Sequence, residues 1–160
     1  MRGPRKPPDP YERGLGLLAR REHSRRELGR KLRARGVEAG DATEALDKLE
    51  SQDFQNDERF AEVLVRSRIG SGYGPLRIRA ELSAMHGLDS GAIEAAIAAE
   101  VESAGIDWLE EAASQLQRRF RQPAADAAER MKRAQFLLRR GFPSDIARQA
   151  TAAQFEPDDA

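Results

Sequence analysis

A glycine-rich segment flanked by cationic side chains is the part of this sequence best suited to bind a ligand. Residues 70–75 read GSGYGP, and within fourteen residues the chain surrounds them with four arginines and one tyrosine, namely Arg66, Arg68, Tyr73, Arg77 and Arg79. Guanidinium groups bind phosphate and carboxylate in a bidentate manner, and the N–H groups of a glycine-rich backbone add further donors. The pattern suits recognition of an anion; the alternative is an ordinary solvated helix surface.

The spacing of the glycines argues against a nucleotide-binding loop. A dinucleotide fingerprint requires G-x-G-x-x-G after a strand, and a P-loop requires Gly-Lys followed by Ser or Thr. Here the spacing is G-x-G-x-G, the preceding residues have helical periodicity, and Pro75 follows the last glycine. We therefore predict a connector in which Gly70 ends one helix and Gly74 with Pro75 begins the next, and we expect no cofactor.

A second basic cluster lies on the predicted second helix. Arg26, Arg30 and Arg33 recur at i, i+4 and i+7, on the side opposite the leucines of the same helix. The further basic residues that we expect to join them are Arg25, Arg133 and Arg140. Basic stripes that face away from the core on equivalent helices would form a groove for a phosphate backbone, whereas the alternative is again a solvated face.

Residues capable of catalysis or metal binding are sparse. The chain has no cysteine, and its two histidines, His23 and His86, are far apart in sequence. We expect His23 to be an exposed loop residue and His86 to interact with a helix C-terminus. No serine elbow or paired-carboxylate motif is present, so we predict that the protein is not an enzyme and holds no metal.

The elements that carry these residues are predicted to be helices. Capping boxes begin at Asp9, Ser24, Asp41 and Asp107, and apolar residues recur with helical spacing through most of the chain. On the fifth and eighth of nine predicted helices, the residues expected to face the core are Ile78, Leu82, Met85, Met131, Ala134 and Leu138. We predict an all-α fold.

The helices group into a repeat of about fifty residues. The second and eighth helices end alike, at LRARGV and LLRRGF, and the fifth ends in a version one residue longer, so that Gly36, Gly87 and Gly141 are equivalent. We predict three tandem three-helix repeats in an elongated, curved array, each burying its apolar face against its neighbour. The repeats are placed at residues 9–55, 56–105 and 106–154, between flexible tails at 1–8 and 155–160. One irregular helical bundle is the alternative.

Overall charge does not mark the chain as a nucleic-acid binder. Lys and Arg number 27, as do Asp and Glu; residues 1–50 are basic, with 13 against 9, and residues 51–100 are acidic, with 5 against 8. Any basic site must therefore be local. No apolar run is long enough to span a bilayer and no signal-peptide segment is visible, so we expect a cytoplasmic protein without a membrane partner.

The central part of the sequence resembles the RecX family of regulatory proteins. The residues that carry the resemblance are the run NDERFA at 56–61, RSR at 66–68 and GYGPLRIRAEL at 72–82, and it extends more loosely upstream through SRREL at 24–28 and LRARG at 32–36. Membership implies three tandem three-helix repeats. It also implies binding to the RecA recombinase filament, inhibition of its ATPase and strand exchange, and modulation of recombinational repair.

These observations lead to one functional hypothesis and two rivals. We predict a monomeric, non-enzymatic protein that docks along a RecA filament on DNA, with its arginines against acidic protein surface and phosphate. A freestanding helical protein that binds DNA itself is one alternative. A scaffold for an unrelated protein is the other.

Overall fold

The computed structural model describes residues 8–154, and within them the prediction of an all-α fold is confirmed. Nine helices are joined by short turns; they are α1 (Pro10–Leu18), α2 (Arg25–Ala34), α3 (Ala39–Ser51), α4 (Asp57–Gly70), α5 (Pro75–Ala84), α6 (Ser90–Ala104), α7 (Trp108–Arg119), α8 (Ala127–Arg139) and α9 (Ser144–Ala153). None of these helices combines the length and the apolar character needed to cross a bilayer. The two predicted tails lie outside the described residues, apart from residue 8.

Three successive sets of three helices each form their own hydrophobic core. The cluster of repeat 1 is centred on Leu28, Leu32 and Leu49, and that of repeat 3 on Leu137 and Phe142. Repeat 2 contributes the residues Phe60, Ala61, Leu64, Val65, Ile69, Ile78, Leu82, Leu88, Ile93, Ala96 and Ile97. Helices pack mainly on members of their own set. The expectation that each repeat buries its apolar face against its neighbour is therefore wrong for the fully buried residues.

Side-chain caps confirm two of the four predicted capping boxes, those at Ser24 and Asp107, whereas Asp9 precedes its helix without a side-chain cap. Ser24 accepts a hydrogen bond from the Glu27 N–H at 3.1 Å, and Asp107 accepts from the Leu109 N–H at 2.8 Å. The third helix begins earlier than predicted, at Ala39, so that Asp41 lies inside its first turn. A carboxylate at that position is stabilised by the helix dipole but cannot act as the cap.

The middle helix of each repeat ends at a glycine with left-handed backbone geometry. The φ angles are 85° at Gly36, 67° at Gly87 and 93° at Gly141. Residues that carry a Cβ atom rarely adopt this backbone conformation. The residue that follows the glycine, such as Phe142 in repeat 3, returns into the core of the same repeat. The predicted equivalence of these helix ends is confirmed.

Neighbouring repeats meet through the same geometry twice. The start of α5 lies against the turn between α8 and α9, where the Gly74 N–H donates to the Arg140 carbonyl at 2.8 Å. The start of α2 lies against the turn between α5 and α6, where Ser24 Oγ is 2.7 Å from His86 Nδ1. At each junction the N-terminus of one middle helix thus packs on the C-terminal turn of the middle helix of the following repeat. Trp108 adds an apolar contact to both the second and third cores.

Three residues that were predicted to face the core are exposed instead. The exposed fractions are 50% for Met85, 65% for Met131 and 45% for Leu138, whereas Leu137 is fully buried. On α8, apolar residues occupy two different faces, and the face that contains Leu137 is the one that packs on α7 and α9. Met131 and Leu138 lie on another side of the helix, about 100–120° around from Leu137, because they are six residues before and one residue after it.

Candidate partner and nucleic-acid interface

The three arginines of α2 lie on the outer surface as predicted. Arg26, Arg30 and Arg33 are exposed, while Leu28 and Leu32 on the opposite side are fully buried. Arg26 donates to the Ala84 carbonyl at 3.3 Å, and its guanidinium occupies the space that a side chain at Gly87 would need. This stripe therefore runs from the surface of repeat 1 to the junction with repeat 2.

A groove of about 370 Å³ lies beside this stripe, between repeats 1 and 2. Its wall includes Arg30 together with the side chains of Val63 and Met85, which are 47% and 50% exposed. Phe60 and His86 form part of the floor, with ring centroids 4.4 Å apart. Arg30 is thus placed where a partner that enters this groove would meet both a cation and apolar surface.

Tyr73 brings repeats 2 and 3 together in a second basic site. The Arg77 guanidinium carbon lies 4.2 Å and the Arg140 guanidinium carbon 4.9 Å from the centroid of the Tyr73 ring. Arg140 also donates to the Ser71 carbonyl at 3.4 Å. Cation–π contacts hold the two guanidinium groups at the glycine connector, and their N–H groups other than the one bound to Ser71 are able to bind an anion.

The other predicted arginines are engaged in ion pairs. Arg25 binds Asp47 and Glu50, each at 2.6 Å; Arg66 binds Glu100 at 3.3 Å, Arg68 binds Glu81 at 2.5 Å, and Arg79 binds Glu94 at 2.6 Å. The hydrogen bond from Arg68 lowers the pKa of the Glu81 carboxyl, and that from Arg79 lowers the pKa of Glu94. These four arginines already neutralise carboxylates within the protein, so their charge is less available to a partner.

The expectation that Arg133 faces away from the core is wrong. Its side chain is 5% exposed, 3.3 Å from a Glu129 oxygen, and it donates to Gln154 at 2.9 Å. Its guanidinium also lies 4.6 Å from the Phe120 ring centroid. Arg133 precedes Leu137 by four residues, as Leu28 precedes Leu32, so it lies on the inward face and links the middle of α8 to the C-terminal ends of α7 and α9.

Both histidines lie in buried polar contacts that the sequence did not reveal. His23 is 2% exposed rather than in an exposed loop, and its Nδ1 is 3.0 Å from the Arg21 carbonyl. The Nε2 of the same ring is 2.9 Å from Lys31 Nζ. Because the carbonyl requires a donor at Nδ1 and the ammonium requires an acceptor at Nε2, the ring is neutral. Burial lowers the pKa of His23, an effect only partly opposed by the Arg21 carbonyl.

His86 makes its contact across the first junction instead of capping its own helix. Ser24 Oγ accepts from the Glu27 N–H at 3.1 Å and forms a hydrogen bond of 2.7 Å with His86 Nδ1, so one hydroxyl links the start of α2 to the histidine ring. Gln55 extends the network by donating to the His23 carbonyl at 3.3 Å and to Asp57 at 2.9 Å. No group of acidic residues and histidines within residues 8–154 is arranged to hold a metal ion.

Five of the predicted arginines have no acidic partner within the described part of the chain. They are Arg26, Arg30, Arg33, Arg77 and Arg140. All belong to the middle helix of a repeat or to its C-terminal cap. Arg140 is half-buried and the other four are exposed. A guanidinium without an internal carboxylate is able to form charge-assisted hydrogen bonds with a phosphate or a carboxylate of another molecule.

Comparison with known protein families accounts for most of the chain. Three models match in order: the first three-helix domain of RecX over residues 11–49, the second over 56–97 and the third over 106–151. The Regulatory protein RecX of Xanthomonas axonopodis pv. citri (strain 306) is 53% identical over 148 residues, which cover 92% of this chain and 88% of the relative. That of Stenotrophomonas maltophilia (strain K279a) is 51% identical over 151 residues, covering 94% and 88%.

Solved structures agree with the observed architecture. The crystal structure of RecX from Lactobacillus salivarius matches with a TM-score of 0.72 and 26% identity, over 91% of this chain and 94% of that one. A second crystal structure of regulatory protein RecX matches with a TM-score of 0.73 and 26% identity, over 89% and 71%. The likeness therefore extends through all three repeats.

Proposed function

The chain belongs to the RecX family of regulatory proteins, and from this premise we propose that it docks on the RecA nucleoprotein filament through the outward arginines of its middle helices. As a member of this family it is a modulator of the RecA recombinase and not an enzyme. It therefore acts by binding. The proposal concerns which of its surfaces makes the contact and in which direction the filament's activity changes.

The observation that carries the proposal is the separation of the arginines into paired and unpaired sets. Arg25, Arg66, Arg68 and Arg79 bind carboxylates of their own repeats, and Arg133 is buried. The unpaired set, Arg26, Arg30, Arg33, Arg77 and Arg140, lies on the middle helices of successive repeats. A filament of protein on single-stranded DNA presents both phosphates and acidic side chains, which are the groups that such arginines bind.

Tyr73 supports a role for nucleic acid within this interface. Its ring is in contact with two guanidinium groups at the junction of repeats 2 and 3. Arginine beside an aromatic ring is a common arrangement for holding the backbone and the bases of a single strand. The same observation favours the second candidate function, in which the protein binds bare DNA without a filament.

We propose that binding inhibits the filament's ATPase and strand exchange, and that the protein acts in the cytoplasm as a monomer without a cofactor. The repeat boundaries that we propose are residues 9–55, 56–105 and 106–154. These limits leave the fully buried residues of each core and each helix-ending glycine within one repeat.

The decisive experiment measures RecA ATPase on single-stranded DNA with and without this protein. We expect the rate to fall at micromolar protein concentrations. No change in rate, together with no binding to the filament, would overturn the proposal. Equal affinity for bare DNA and for the filament would instead favour the freestanding nucleic-acid-binding function. Binding to neither would favour the remaining alternative, a scaffold for an unrelated protein.

A further inference from the structure

The outward face of the middle helix changes its chemistry between repeat 1 and repeat 3. Leu32 and Leu137 each precede the helix-ending glycine by four residues, so the two helices can be aligned residue by residue. In this alignment the outward residues Arg26, Arg30 and Arg33 of α2 correspond to Met131, Gln135 and Leu138 of α8. The three outward positions are thus all arginine in the first repeat, whereas in the third repeat two are apolar residues and one is a neutral polar residue.

These three residues of α8, which we term the α8 face, are open to solvent. Met131 is 65% and Leu138 45% exposed, and Gln135 between them is exposed as well. Met131 and Leu138 are seven residues apart, two helical turns, so their side chains lie above one another on one side of the helix. An exposed pair of large apolar side chains in register is the pattern by which a helix packs against another helix.

Two exposed cations flank this apolar strip on one side, and Arg130, which is half-buried, precedes Met131 on the other side. Lys132 and Arg139 each follow a residue of the α8 face by one position and are exposed. Neither has an acidic partner within residues 8–154. A partner that covers Met131 and Leu138 would therefore place its own edge beside two unpaired cations.

The charges select among the possible occupants of the α8 face. Two copies of this chain that paired antiparallel through it about a twofold axis would bring Lys132 of one copy beside Arg139 of the other, which is unfavourable, and parallel pairing would leave these cations without an acidic partner. Phosphate gains nothing from Met131 and Leu138, which offer no hydrogen-bond donor. The occupant that satisfies both features is an amphipathic helix with apolar residues at three- and four-residue spacing and Asp or Glu along one edge.

We propose that the α8 face is a second docking surface, which binds an acidic-edged amphipathic helix of the RecA protein while the unpaired arginines bind the filament elsewhere. This inference rests on the proposed function. In this inference repeat 1 contributes mainly charged groups to filament binding, and repeat 3 contributes apolar contact area.

The first test is the double variant Met131→Ser/Leu138→Ser, titrated against RecA filaments on single-stranded DNA. Removing two apolar side chains that become buried should weaken binding by about tenfold or more. The loss should be the same factor at every salt concentration, because no charge is altered. Helicity should be unchanged, since neither side chain contributes to a core. The matched control is Phe54→Ser, which removes an apolar side chain of comparable exposure, 47%, between α3 and α4.

The second test identifies the occupant. A photoreactive amino acid at position 131 should form an adduct with RecA, and Lys132→Glu/Arg139→Glu should reduce both that adduct and filament binding. An adduct only with DNA, or only with a second copy, would overturn the inference. So would a Met131→Ser/Leu138→Ser variant that binds as tightly as the wild type. In those cases the proposed function stands, whereas a wild-type protein that fails to bind the filament overturns both.

Discussion

Gly74 and Gly141 lie in direct backbone contact across the junction of repeats 2 and 3. A Cβ atom at Gly74 would lie 2.5 Å from both the carbonyl carbon and the oxygen of Gly141. The contact is accompanied by two hydrogen bonds, from the Gly74 N–H to the Arg140 carbonyl at 2.8 Å and from the Leu76 N–H to the Gly141 carbonyl at 2.9 Å. The first turn of α5 is thus held by the turn that follows α8, which also positions Arg77 and Arg140 around Tyr73.

Substitution of Gly74 by alanine should loosen this junction. The added methyl group meets backbone rather than a flexible side chain, so the repeats must separate, at a cost of about 1–3 kcal/mol in the free energy of unfolding. Gly74→Val should act in the same direction and more strongly. Thermal unfolding followed by circular dichroism measures the effect.

Gly16→Ala provides the matched control for that substitution. Nothing lies within 4 Å of a Cβ atom at Gly16 in the interior of α1. Alanine there should stabilise the protein by about 0.5–1 kcal/mol, because it favours the helical backbone. If Gly74→Ala raised the unfolding temperature as Gly16→Ala does, the close approach of Gly74 and Gly141 would be contradicted.

Arg133 should be replaceable by leucine but not by alanine. It occupies the position in repeat 3 that Leu28 occupies in repeat 1, beside Phe120. Arg133→Leu keeps the volume and leaves the partly exposed Glu129 to be solvated, so we expect a change within about 1 kcal/mol. Arg133→Ala leaves a cavity and should cost about 2–4 kcal/mol. Urea unfolding of both variants tests this, and equal losses would show that the polar contacts of Arg133 matter more than its packing.

The stability of the protein should fall as the pH falls below about 6.5. Burial lowers the pKa of His23 and His86 below the ordinary value of 6.5, whereas both histidines bind protons with that ordinary value once the chain unfolds. The unfolded state therefore binds more protons in this range, so acidification favours unfolding. The stabilising contribution is complete above pH 6.5 and is lost as the pH falls toward the folded-state pKa values.

A second loss of folded-state stability should follow at lower pH, and it comes from Glu27. Burial raises the pKa of Glu27, but the hydrogen bond and charge of Arg21, with the charge of Lys31, outweigh it and bring the pKa to about 2. Its contribution is present above 4.5 and lost as the pH falls from 4.5 toward 2. Unfolding midpoints at pH 7.5, 5.5 and 3.5 should decline in that order. His86→Gln should reduce the first step, and identical midpoints at pH 7.5 and 5.5 would contradict the assignment of neutral histidines.

Replacing Arg26, Arg30 and Arg33 together by alanine should weaken binding to the RecA filament without loss of helicity. If these side chains contact phosphate, the dependence of log K on log salt should flatten by about 0.7 per lost contact on a single strand. If they contact acidic protein, weaker binding should follow ordinary screening of charge pairs.

Arg79→Ala is the matched single control for Arg30→Ala. Arg79 is already bound to Glu94 at 2.6 Å, so its loss should affect filament affinity less than the loss of Arg30. Titrations of both variants against filament and bare DNA at several salt concentrations measure the difference. Equal affinities of the wild type and the triple variant throughout would show that the α2 arginines form only a solvated face.

The sequence by itself determined the features that depend on neighbouring residues along the chain. Capping residues such as Ser24 and Asp107 act on N–H groups two or three positions away, and the left-handed glycines at 36, 87 and 141 end helices locally. Helical class, the number of helices in each repeat and the outward placement of the α2 arginines follow from such short-range rules. The family was also visible in the run from residues 56 to 82.

Only the tertiary structure decided which face of a helix turns inward and which charges remain free. On α8 two apolar strips compete, and packing on α7 and α9 selected Leu137 and buried Arg133, leaving Met131 and Leu138 outside. A long arginine side chain binds a carboxylate that is near in space even when it is far away in sequence. Arg66, for example, binds Glu100, which lies 34 residues away in the chain. The contact of Gly74 with Gly141 likewise joins residues in different repeats. Each of these outcomes depends on distances in space, which the order of residues along the chain does not specify.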